Sequence, residues 1–185
     1  MSWEVLRHDW SSLRAEGGAE HLPRALQELE SASTEDEALS AYWRIDNYVV
    51  VQGRVYEAAL AVVSCLLGTL LRCTDVSRRH VLELLVQIGG GEPAHSEIDL
   101  GEADLVARCR KEIARGFPVY VNVLERTEDD DEQGFCVDLL GLSCMADSCL
   151  RERVQWYYKM LLSRPVGKGM PELVSSWLEE IGDSP

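Results

Sequence analysis

Four histidines, six cysteines and a run of five carboxylates are the groups with the most reactive side chains in this chain. Their spacing decides what chemistry they could do. His8, His21, His80 and His95 stand far apart, and none falls at ligand spacing from a cysteine. Cys65, Cys73, Cys109, Cys136, Cys144 and Cys149 form no C-x-x-C pair. Cys65, Cys109 and Cys136 lie in apolar stretches, where a free thiol behaves as a small hydrophobe. His80 sits in Arg78-Arg79-His80, which reads as a solvated face. The strings that mark a phosphate loop, a nucleophile elbow or a zinc protease are missing. Gly89-Gly90-Gly91 follows an apolar helical pattern instead of opening one, so it reads as a helix stop and turn, not a phosphate cradle. No catalytic residue, cofactor site or metal site is expected, and the chain reads as a binding protein, not an enzyme.

The carboxylate run is Glu128-Asp129-Asp130-Asp131-Glu132. It lacks the alternating ligands and central glycine of a calcium loop. Three readings stay open: a solvated loop, a docking patch for a basic partner, or a metal site. The tryptophans pose a similar choice. Most of Trp3, Trp10, Trp43, Trp156 and Trp177 should be core; Trp43 and Trp156 fall slightly off the apolar stripes of their helices, and core remains the leading reading for them too. Tryptophan is favoured at binding hot spots, so those two are interface candidates.

Composition narrows the partner. Thirty-two acidic residues face eighteen basic ones, a formal net charge of −14. Phosphate contacts dominate nucleic-acid affinity and require the opposite sign. Nucleic acid and anionic membranes are therefore poor partners, and a basic protein is a better one. No apolar run reaches the ~20 residues of a bilayer span. Met1-Ser2-Trp3-Glu4 lacks the basic start and apolar region of a signal peptide, so the expected location is cytoplasmic.

Elements must position these groups, and the pattern is helix after helix. Trp3, Leu6, Trp10 and Leu13 recur at helical spacing until Gly17-Gly18. Pro23 opens a second helix at Leu22, Ala25, Leu26 and Leu29. Thr34-Glu35-Asp36-Glu37 reads as a capping box for a third, which Gln52-Gly53 ends. Residues 56–70 are apolar almost all round, as in a central helix. Thr74 or Asp75 caps the next helix, with Val81, Leu84, Leu85 and Ile88 inward. Residues 89–101 read as a Gly/Pro loop, a hinge or a binding loop. Leu105, Cys109 and Ile113 line a further helix. Pro118 opens another, for which Val119-Tyr120-Val121 would also suit a strand. Helices follow around Phe135–Leu142 and Leu150–Leu161. Ser163–Gly169 is a linker, and residues 170–182 form a capping helix.

About ten helices with short connections force antiparallel neighbours. The expectation is an all-α fold over residues 1–185: one domain, a short right-handed superhelix of antiparallel helix pairs, each unit roughly 40 residues.

Several segments resemble a group of bacterial HEAT-repeat-like proteins. Asp9-Trp10-Ser11-Ser12-Leu13, then Gly18-Ala19-Glu20-His21-Leu22-Pro23, is similar to that group's opening. Gln52-Gly53-Arg54-Val55-Tyr56-Glu57-Ala58 resembles its turn between paired helices, with Val51 where the group usually carries histidine. Gly116-Phe117-Pro118-Val119-Tyr120 resembles a later repeat entry. Related short HEAT-like proteins act as immunity proteins beside secreted bacterial toxins. The resemblance implies an immunity role; with a solenoid surface, strong acidity and no catalytic residues, the expectation is an inhibitor that occludes the active site of a basic toxin domain. The residues expected at the interface are Glu128, Asp129, Asp130, Asp131, Glu132, Trp43 and Trp156. The rivals are a scaffold or regulatory adaptor, and a repair glycosylase of HEAT-like fold, which the acidic balance disfavours.

Overall fold

The computed structural model describes residues 1–182; the last three residues of the expected domain lie outside that range. The helices are α1 (Trp3–Leu6), α2 (Leu22–Ser31), α3 (Glu35–Val49), α4 (Ala58–Leu70), α5 (Asp75–Gly90), α6 (His95–Asp99), α7 (Leu105–Ile113), α8 (Phe117–Arg126), α9 (Asp130–Ala146), α10 (Arg151–Leu162) and α11 (Met170–Gly182). Three two-residue strands accompany them: β1 (Val50–Val51), β2 (Arg54–Val55) and β3 (Glu92–Pro93). The fold is all-α, as the periodicity predicts. None of the helices among the described residues is long and apolar enough to cross a membrane.

Local chemistry sets most helix ends. The Thr34 hydroxyl accepts from the Glu37 backbone N–H at 3.3 Å while Glu37 accepts from the Thr34 N–H at 3.3 Å, the reciprocal capping box. Thr74 caps α5. Pro23 and Pro118 occupy the first turns of α2 and α8, where an absent N–H breaks no bond. Val119-Tyr120-Val121 is helical. The first helix is shorter than its apolar spacing predicts. Asp9 accepts bonds from Ser11 and Ser12, side chains that compete with helical pairing, and the Trp10 indole donates to the Val5 carbonyl at 2.8 Å. The chain turns there and Trp10 becomes core.

The helices form two rows. α3, α5, α9 and α11 pack in succession along one; α2, α4 and α7 continue the other, and α8 and α10 both lie on α9. One apolar core runs through all of them, from Val5 to Ile181. This is the arrangement of stacked helix pairs, in which each pair buries its face on the next. α4 is apolar all round because it is covered on several sides by α1, α2, α5 and α7. At Gly141 the indole of Trp177 lies directly on the α9 backbone, and a Cβ there would overlap the ring. That close approach seats α11.

Two segments differ from expectation. Gln52-Gly53 is the tip of a hairpin. Val50 pairs with Val55 and Val51 with Arg54, and both tip residues have positive φ, 51° and 77°. A two-residue turn with both centres left-handed suits the strand twist, and β-branched valines flank it. Residues 89–101 are not a loop. Gly89 and Gly90 complete α5, Glu92–Pro93 pairs in parallel with β2, and α6 follows. The partner strand lies 38 residues away at Arg54, whose guanidinium meets Glu92 at 2.7 Å. Distant pairing of this kind leaves no local periodic signal.

A clasp closes the corner between these pieces. Glu97 of α6 is 1% exposed, and Arg14 reaches its carboxylate at 2.6 Å and Glu57 at 3.1 Å. Tyr56 donates to Glu16 at 2.7 Å. Removing one member of a buried ion pair leaves an uncompensated charge. Arg14→Met should therefore cost about 3 kcal/mol and lower Tm by roughly 6–10 °C. Calorimetry checks this, and a Tm shift below about 1 °C would mean that Arg14 does not neutralise Glu97.

Candidate protein-binding surfaces

The carboxylate run expected as a loop is the cap and first turn of α9. Asp129 accepts from the Glu132 N–H at 2.8 Å, as an N-cap does. Acidic side chains also suit the positive end of a helix. Glu132 is 3% exposed, held by Arg78 at 2.9 Å and by the Thr127 hydroxyl at 2.6 Å. Asp131 pairs with Arg79 at 3.1 Å. Three of the five expected contact residues thus bind within the chain. Asp129 and Asp131 remain exposed, but Glu132 is buried and offers a partner nothing. Glu128 and Asp130 reach open surface, beside a cleft they share with Glu125 and Arg164.

Both candidate tryptophans are surface residues, Trp43 at 47% and Trp156 at 57% exposure. They lie on different parts of the molecule. Trp10 is core, Trp177 is half-buried against α9, and Trp3 is exposed. His80 is a second correction. It is buried, bonded through Nε2 to Glu35 at 2.8 Å and set against the Tyr42 ring. Its neighbours Arg78 and Arg79 turn outward to α9, which is why its sequence surroundings suggest solvent.

Trp43 stands on α3 in edge contact with Tyr42, centroids 4.9 Å apart. One helical turn on, Asp46 shares its face. Across the groove to α5 stands Glu83. Burial raises the Asp46 carboxyl above its ordinary value, and the Glu83 charge raises it further. Burial and the same two carboxylates push up the Tyr42 hydroxyl. No cation pairs with Asp46 or Glu83 among the described residues. Farther along the row, burial also raises Asp138, partly offset by the Trp177 indole donating to it at 2.7 Å. Asp46 and Glu83 are residues that sequence reasoning missed. The available signal was the three-residue spacing from Trp43, but the Glu83 contribution comes from another helix.

Charge elsewhere is mostly consumed. Each arginine from Arg7 to Arg115 meets a carboxylate, except Arg110, which donates to the Gly89 carbonyl at 2.7 Å. Apart from Arg110 and Lys111 on α7, the cations without an ion pair among the described residues gather late in the chain. Arg126, Lys159, Arg164 and Lys168 have no ion pair among the described residues.

Trp156 heads the second surface, a cleft between α8 and α10 lined by Val121, Leu124, Tyr157, Met160 and Leu161. Glu125 and Arg164 border it. A further hollow on the other flank of Trp156 is bordered by Arg153 and Lys159.

The thiols are all free. Burial pushes Cys65 and Cys109 up to about 12 and Cys73 up to about 11, which suppresses the reactive thiolate. Among the described residues no three potential ligands converge as a metal site would require. Comparison with family models, with curated proteins and with solved structures returned no match.

Two outcomes follow. At pH 8 an aromatic disulfide reagent should titrate one fast thiol, Cys149, and Cys149→Ser should abolish that phase; a fast phase that survives would place a second thiol at the surface. Asp46→Asn should stabilise the fold at pH 7 by ~2 °C in Tm. The sign follows from the raised folded value. Between the ordinary Asp value near 3.8 and that raised value, the folded chain binds more protons, so stability falls as pH rises through the window. The gain from Asp46→Asn should therefore fade at acid pH. A loss of Tm at pH 7 would mean that Asp46 is already neutralised.

Proposed function

We propose that this chain is a protein-binding inhibitor that neutralises a basic protein by covering its active site, as an immunity protein does for a bacterial toxin. The observation that carries the reading is the stripe on α3 and α5: an exposed Trp43, Asp46 one turn on, and Glu83 facing Asp46 and Tyr42, with no cation paired to either half-buried carboxylate among the described residues. Holding like charges together at partial burial costs stability in the free protein. A lysine or arginine of a partner would relieve that cost and stack on the indole face. Residues that weaken the fold while improving a binding site are a known signature of function. The reading needs no catalysis by this chain, because occlusion requires only surface and affinity.

The acidic excess supports the sign of the partner. The arginines of the first two-thirds of the chain are engaged internally, so the surplus carboxylates define the field that an approaching molecule meets. Electrostatic steering of this kind acts mainly on the association rate and falls with salt.

One observation favours a second reading, a scaffold or regulatory adaptor. The Trp156 cleft is a separate surface with different charge, and two unlike surfaces suit a protein that joins two partners.

The test begins with co-expression and co-purification with the products of adjoining genes in the source organism. With a basic partner in hand, Trp43→Ala should raise Kd by about 30-fold, the effect of losing a tryptophan hot spot. Asp46→Asn with Glu83→Gln should slow association and flatten its salt dependence. A complex whose kinetics ignore all three changes places the interface elsewhere. A chain that binds no basic partner and protects no enzyme from its substrate is not an inhibitor.

A further inference from the structure

We infer that the cleft between α8 and α10 is a docking site for an acidic amphipathic helix of a partner protein. This goes beyond the inhibitor reading and does not depend on it.

The cleft is a slot between two helices. On α10, Trp156 and Met160 are four residues apart, and on α8, Val121 and Leu124 are three apart. Each pair lies along one helix face. Trp156 is 57% exposed and Met160 is 40% exposed, so the upper wall of the slot is open. Leu124 and Leu161 are buried and form its floor. A slot whose apolar walls are pairs three and four residues apart over an apolar floor matches apolar side chains at i and i+3/i+4 of a visiting helix, with the next turn of the visitor reaching the charged rim at Arg164. Methionine and tryptophan suit such a groove, one adaptable and one rigid.

Charge sets the rest of the chemistry. The segment from Arg151 to Lys168 holds five cations and one carboxylate in a chain whose net charge is −14. Lys159, Arg164 and Lys168 have no ion pair among the described residues. Arg153 lies over the Phe117 ring at 5.0 Å and donates to the Tyr157 hydroxyl at 3.3 Å, which seats it at the edge of the slot. Carboxylates of a visitor along the α10 flank would meet these cations. On the opposite flank, at the end of α8 and the start of α9, Glu125, Glu128 and Asp130 outnumber Arg126 and would repel them, which fixes which side of the visitor carries its charge.

Other occupants fit less well. A second copy joined through α10 about a two-fold axis would set Arg153, Lys159 and Arg164 against their own equivalents. An anionic bilayer is planar and would meet Glu125, Glu128 and Asp130 together with the cations, whereas the slot is recessed.

The experiment is fluorescence anisotropy of a labelled designed helix of about 14 residues, with leucines at i, i+3 and i+4 and glutamates on one flank. An isomer with lysines in place of glutamates is the control. General attraction to a chain of net −14 favours the lysine peptide, so preference for the glutamate peptide reports the local site. The expected result is saturable binding of the glutamate peptide, at least about tenfold tighter than the lysine isomer. Trp156→Ala should weaken it by about tenfold or more. Lys159→Glu with Arg164→Glu should invert the preference, an outcome that loss of folding cannot produce. Trp43→Ala and Asp46→Asn should leave it unchanged, and their effect on a basic partner reports the inhibitor reading separately.

Equal or tighter binding of the lysine peptide overturns the proposal, as does failure of both peptides to bind. Trp156-dependent binding to vesicles of equal parts phosphatidylcholine and phosphatidylglycerol, without peptide binding, assigns the slot to a membrane instead. A dimer in sedimentation that Trp156→Ala dissolves assigns it to a second copy. Either result overturns the partner helix.

Discussion

The buried ion pair between Arg78 of α5 and Glu132 of α9 sits where the two halves of the molecule join. Glu132 cannot be left alone: a carboxylate with 3% exposure needs compensation, and Arg78 and Thr127 supply it. The same residue lies in the first turn of α9, whose backbone N–H groups also favour negative charge. The Asp129 cap sets where α9 begins, and the Arg78–Glu132 pair sets how it lies along α5. α8 packs on α9, and α11 is seated on it where Trp177 lies over Gly141. Both candidate surfaces inherit their geometry from that seam. The α3–α5 stripe lies on one side of it and the α8–α10 slot on the other.

Charge is divided by location more than by amount. In the first two-thirds of the chain the arginines tie segments together: Arg14 to α6, Arg54 to β3, Arg72 to Glu30 of α2 and Arg78 to α9. These cations are not offered to solvent as free charge. Carboxylates without such a partner, Asp46 and Glu83 among them, remain to shape the surface. Around α10 the sign reverses. A net charge of −14 averages two unlike regions, and a partner meets the region, not the average, because screening limits each patch to about a Debye length of roughly 8 Å at physiological salt.

Asp46 and Glu83 weaken the free fold in a way that the proposed binding of a cation would relieve. Burial and mutual repulsion raise the Asp46 carboxyl, so the free protein is less stable at neutral pH than it would be with an amide there. Such a pair is costly as architecture and useful as a socket for a cation. The contrast with Glu97 is instructive. That carboxylate is more deeply buried, yet Arg14 meets it, and its role is to hold α6 and the hairpin in place.

Reading residues in order is enough for what depends on near neighbours. The capping box at Thr34, the prolines opening α2 and α8 and the apolar face of α4 are all written within one or two helical turns. Helix ends and helix faces are local hydrogen-bonding and burial problems, so the all-α class is legible from periodicity alone. The exposure of Trp43 and Trp156 is only hinted at by their slight offset from the apolar stripes, which favours core as readily as surface; the packing of the neighbouring helices decides it. What depends on distant partners is not legible. β3 exists because Arg54 and Val55 lie beside residues 92 and 93. His80 is buried because α3 brings Glu35 and Tyr42 to it. The acidic run is half consumed because Arg78 and Arg79 arrive from α5. Asp46 is out of the ordinary because packing half-buries it and Glu83 of α5 then faces it. A carboxylate's neighbours in space decide whether it is a cap, a buried tie or an open socket, and those neighbours come from other helices.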